Sequence, residues 1–169
     1  TINGAALATP VFLSLYVEND LRLDKYFAET DEKGFRKNKK AGSNNYLCTF
    51  RVGEIYLTAA EAAARLGELS QARTRLLELM RKRYAPEAYE AKSVVVNAMD
   101  KEALVQEILD ERARELAFEG HRWFDLRRST RPRLEKVLDG TRYVLEENDA
   151  RYTLAIPKEA IEANPGLLN

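Results

Sequence analysis

Between Asp100 and Gly120 the chain alternates apolar and ionised residues in a way that few folds can accommodate. Advancing 100° per residue, as a helix does, Leu104, Ile108 and Phe118 define an apolar face. Glu111, Arg112, Glu115 and Glu119 project from the same arc. Burying an unpaired carboxylate costs several kcal/mol, so such groups must be paired, protonated or metal-bound. Asp100 is placed to cap this helix and Glu102 sits near its positive end.

Three chemistries compete for that face. Glu115 and Glu119, one helical turn apart, have the residue types of a retaining glycosidase's acid and nucleophile. That mechanism requires the pair to flank a cleft with one carboxyl protonated, whereas nearby arginines would keep both ionised. A di-iron site needs Glu-x-x-His spacing from two helices. The residue three before His121, the single histidine, is Phe118, so no metal site is assigned. The third chemistry is structural, and it is the expectation adopted. Arg112, Arg114, Arg122, Arg127 and Arg128 would clamp Glu115, Glu119 and Asp125 in bidentate fashion, with Arg51 and Glu61 joining the network. It expects a rigid scaffold without catalytic residues or cofactor.

A helical hairpin precedes this segment. From Val52 an arc of Val52, Ile55, Tyr56, Ala59, Ala60, Ala62, Ala63 and Leu66 faces away from Glu54, Thr58, Glu61 and Arg65. Gly67 supplies a left-handed cap. A second stripe follows at once, formed by Leu69, Ala72, Leu76, Leu79 and Met80. So short a turn makes the two helices an antiparallel pair of tetratricopeptide flavour, with Tyr56, Ala59, Ala60, Ala63, Ala72 and Leu76 at packing positions. A second copy is not evident, so a free-standing solenoid is not expected.

The remainder is less regular. Residues 1–50 read as a lead-in: Pro10–Tyr16 as a short strand or buried turn, and Asn19–Leu23 as a capped helical turn. The basic stretch Asp31–Asn45, carrying Lys33, Arg36, Lys37, Lys39 and Lys40, reads as an exposed loop between extended segments. Residues 51–169 read as one compact helical region. Within it, Tyr84–Ala98 is a polar segment, and Arg142–Leu145 with Arg151–Ile156 suggests a β-hairpin closed by Pro157, before a helical turn over 158–162. Cys48 reads as a small core residue and Trp123 as a core anchor. Tyr46, Tyr84 and Tyr89, in loop-like segments, are the better candidates for stacking on a ligand, although partial packing is the commoner role of such residues.

Composition narrows the classes further. The 169 residues carry 27 basic and 27 acidic side chains, which argues against a broad nucleic-acid surface. One cysteine excludes an internal disulfide and a thiolate zinc cage. The longest apolar run, Ala5–Ala8, is too short to span a membrane. The start, Thr1-Ile2-Asn3-Gly4, lacks a methionine and a signal core, which favours a beginning inside a longer precursor.

Three blocks carry a family resemblance. They are Arg51–Ala62 with Arg65-Leu66-Gly67 and Arg81-Lys82-Arg83; Ile108–Arg128; and Tyr152–Pro157 with Glu159-Ala160-Ile161 and Asn164-Pro165. Together they resemble the C-terminal region of SusD/RagB-type proteins, and Asp20-Leu21-Arg22 is similar to an aspartate-arginine segment of that family. The resemblance implies a mostly α fold of tetratricopeptide-like hairpins with a short C-terminal β-hairpin. It also implies a lipid-anchored outer-membrane protein that binds glycans or other nutrients at the cell surface with a SusC-type TonB-dependent transporter. Family members are about three times as long, so this chain would be a C-terminal portion without the signal peptide or lipidated cysteine. Because the matched motifs belong to the scaffold, the resemblance assigns no ligand-binding residue. An independent helical-repeat interaction module is the alternative.

Overall fold

The computed structural model describes residues 7–40, 51–138, 140–164 and 166. Cys48, Tyr46 and Pro165 lie outside the described residues. The chain divides into two compact units, 1–122 and 123–169.

The first unit opens with a small β-layer. Strand β1 (Leu7–Ala8) is followed by a single helical turn, α1 (Pro10–Leu13), where the sequence suggested a strand or buried turn. Thr9 caps it by accepting from the Phe12 amide, and Pro10 takes the first helical position, where no amide is needed. Helix α2 (Arg22–Tyr26) runs into β2 (Phe27–Thr30). Leu21 takes the N-cap position without a side-chain cap, and the first amide, that of Arg22, is met at 3.0 Å by Asp20 one residue earlier. Strand β3 (Arg36–Asn38) occupies part of the stretch read as an exposed loop and pairs antiparallel with both β1 and β2 in the order β1-β3-β2. Of the basic residues there, only Arg36 and Lys37 belong to the strand, Lys37 exposed and Arg36 bonded to Thr30 and Asp24, a pattern that strand propensity alone does not reveal. Ala8, Tyr16, Phe27 and Ala117 form a small core beneath this layer, joined edge-to-face by Phe12 and Phe118.

Four helices complete the unit: α3 (Val52–Leu66), α4 (Leu69–Met80), α5 (Pro86–Ala98) and α6 (Lys101–Glu115). Gly67 ends α3 at φ 86°, and the Gly67 and Glu68 amides return to the carbonyls of Ala64 and Ala63. That left-handed turn reverses the chain into α4 and makes the expected hairpin. Ala72, Leu76, Leu79 and Met80 are buried on α4, as its stripe requires.

The buried face of α3 only partly coincides with the arc read from the sequence, which shares with it Ala60, Ala63 and the half-buried Tyr56. Gly53, Leu57, Ala60, Glu61, Ala63 and Ala64 are buried, while Val52, Ile55, Ala59, Ala62 and Leu66 are exposed. Alanine covers more than half of the circumference, so hydrophobicity did not distinguish the side that α4 and α6 cover. The segment Tyr84–Ala98 is likewise mostly α5, started by Pro86 and packed on the core through Val96, Ala88 and Tyr89. Asp100 caps α6 by accepting the Ala103 amide at 2.9 Å.

The division between units falls within α7 (His121–Arg128). In the second unit, β4 (Leu134–Leu138) pairs with β5 (Thr141–Leu145) as an antiparallel hairpin. A C-terminal hairpin is therefore present, but the partner of 141–145 is the segment before it. Residues 150–152 instead form a 3-10 turn, which Asp149 caps by accepting the Arg151 amide. A turn of that kind ends the extended run after Leu145 and leaves Arg142–Leu145 free to pair backwards. Trp123 stacks on the buried Tyr152 at 5.2 Å between ring centroids, so within this unit it anchors packing. Helix α8 (Lys158–Ala163) follows Pro157.

Candidate functional site

The most unusual chemistry of the chain is a buried ionic cluster on α6 in the first unit. Asp20, Arg22, Glu111 and Glu115 all have side chains at most 2% exposed. Arg22 reaches into the interior from the start of α2. Its guanidinium donates to both carboxylate oxygens of Asp20 at 2.9 and 2.8 Å, to Glu111 at 2.7 Å and to Glu115 at 3.2 Å. The fork geometry and permanent charge of arginine suit this multiple clamping; a lysine ammonium would not reproduce it.

The other arms come from separate segments. Arg114 donates to Glu111 at 2.8 Å and to Glu107 at 2.6 Å. Arg83, just beyond α4, grips both oxygens of Glu115 at 2.7 and 2.8 Å. Arg51, at the entrance of α3, bridges Glu115 at 3.0 Å and Glu119 at 2.7 Å. Lys40 pairs with Glu119, donates to the main-chain carbonyls of Glu115 and Ala117 at the end of α6, and sits 4.4 Å from the Tyr26 ring centroid. Tyr84 donates to Glu111 at 3.0 Å and accepts from Arg22 at 3.0 Å. Tyr16 donates to the Arg114 carbonyl.

The protonation states follow from these contacts. Burial by itself would raise the Glu115 carboxyl. The hydrogen bonds and charge of Arg83, with the charges of Arg22 and Arg51, outweigh it and hold the group at about 2. Glu111 is likewise pulled down, because Arg22 and Arg114 overcome its complete burial. Burial drives the Tyr84 phenol upward, reinforced by Glu111, so it stays a neutral donor. Lys40 is lowered by desolvation, against the opposing pull of Glu119. Both glutamates at the centre are anions held by arginines, with the neutral Tyr84 hydroxyl as an additional donor to Glu111.

That arrangement decides between the chemistries read from the sequence. Helix α6 ends at Glu115, so Glu119 lies in the following turn and the two are not helical neighbours. Glu115 is sealed from solvent, and arginines hold it ionised, which suits neither a proton donor nor a nucleophile that must reach a sugar. Among the described residues no group of histidine, cysteine or carboxylate side chains could hold a metal ion.

The structural expectation holds with different clamps. Of the arginines named for that role, Arg114 serves Glu111 and Glu107, and Arg128 serves Asp125 at 2.6 Å within the second unit. Arg112 reaches Thr58 on α3, and Arg122 the Leu109 carbonyl. On Glu115 the expected Arg51 is joined by Arg22 and Arg83, which were not expected, because a carboxylate facing the interior is met by segments packed across from it. Glu61 pairs locally with Arg65. Tyr84 is buried in the cluster and Tyr89 packs on the core, so neither is a free stacking platform.

Gly53 permits the closest approach. A β-carbon at that position of α3 would lie 2.7 Å from Oε1 of Glu115. Sequence reasoning missed Arg22, Arg83, Lys40 and Gly53 as parts of one assembly. The available signals were the Asp20-Leu21-Arg22 triplet and a glycine in the first turn of an alanine-rich helix.

A mostly helical fold, in which a helical hairpin is locked to α6 and α2 by an internal ion cluster, has the build of a scaffold. The chain belongs to the SusD family, whose sequence pattern it matches over residues 16–169. Its fold is similar to that of a SusD-like carbohydrate binding protein from Bacteroides vulgatus, at 20% identity and a TM-score of 0.61, covering 93% of this chain and 40% of that one. A SusD-like protein from Bacteroides fragilis is 23% identical over 78% of this chain and 29% of that one, with a TM-score of 0.49. No curated protein is significantly similar to the chain. The chain thus spans well under half the length of these relatives, and corresponds to a C-terminal portion of the family. Among the described residues no helix is long and apolar enough to cross a membrane.

Proposed function

We propose that this chain is the C-terminal scaffold of a cell-surface glycan-binding protein that works with a SusC-type TonB-dependent transporter and is held at the outer membrane by a lipid anchor. The observation that carries this reading is the family match over residues 16–169, which includes the whole ion cluster. The likeness in fold to a protein described as SusD-like and carbohydrate binding supports the ligand class. The cluster itself supports a passive role for this portion: its carboxylates are consumed by arginines and serve packing. Binding would then use stacking aromatics and polar groups, mostly supplied by the rest of the longer protein.

The test uses the protein at its full encoded length. Isothermal titration against a panel of soluble polysaccharides should show binding without release of reducing ends over hours. Affinity purification from membranes should recover a TonB-dependent barrel. Release of reducing sugar that disappears in Glu119→Gln while the fold persists would replace this reading with a glycosidase. Absence of binding across the panel, together with absence of a barrel, would remove the transport reading.

A further inference from the structure

We draw no further inference here: the strongest candidate, the exposed run 154–156 of the second unit, where Leu154 and Ile156 face solvent between the buried Tyr152 and helix α8, carries none because nothing in the structure shows what covers it.

Discussion

Arg22 and Glu111 are 89 positions apart in the chain and meet at 2.7 Å, with neither side chain more than 2% exposed. The pair ties the start of α2 to the middle of α6. Arg22 also neutralises Asp20 and reaches Glu115. An arginine so placed is worth most as a partner: removing it withdraws one cation from three buried carboxylates at once.

Replacing Arg22 by methionine, which keeps apolar bulk and removes the charge, should destabilise the first unit by about 3–5 kcal/mol. Urea unfolding monitored by circular dichroism would register this as a lowered midpoint with a similar slope. A change below about 1 kcal/mol would mean that water reaches Glu111 and Asp20.

Acid should loosen the cluster through Glu115. Its folded-state value lies near 2 against an ordinary 4.5, so the group stabilises the fold above 4.5 and loses that contribution as pH falls toward 2. The stake is about 3 kcal/mol, given ~1.4 kcal/mol per unit. Unfolding midpoints measured from pH 6 to pH 2 should drop through that window. Glu115→Gln, less stable at neutral pH, should show a flatter profile; an unchanged slope would remove Glu115 as the titrating group.

Gly53→Ala sets two effects against each other. Alanine favours helix by about 1 kcal/mol, but the new methyl would meet Glu115 Oε1 at 2.7 Å. Arg83 and Arg51 hold that oxygen, so it cannot swing aside, and a net loss of about 1–2 kcal/mol is expected. In a Glu115→Ala background the same change should become neutral or favourable. A thermal-melt double-mutant cycle without coupling would refute the contact.

Ala60, fully buried on α3, should tolerate no enlargement. Ala60→Leu is expected to cost about 1–3 kcal/mol by overfilling the hairpin contact, whereas Ala59→Leu on the exposed side of the isolated 169-residue chain should cost little. Differential scanning calorimetry of both variants separates the two faces of the helix.

Much of this protein was legible in its residues. The alanine-rich hairpin turning at Gly67, the Asp100 cap and the interleaved charges of 104–119 are local patterns. Helical periodicity and capping chemistry act within a few positions, so the chain itself specified them. That Glu111 and Glu115 must be neutralised was equally readable, because desolvation leaves a buried carboxylate few alternatives. Which cations would do it was readable only in part: Arg51 was among the candidates, Arg22 and Arg83 were not. Arg22, Arg51 and Arg83 reach Glu115 from three separate segments, and only packing brings them together. The buried side of α3 was undecided for a related reason: alanine is compatible with either face, and the neighbouring helices α4 and α6 made the choice. The same holds for β5, whose alternating residues permitted a partner on either side until the turn at 150–152 left only the segment before it.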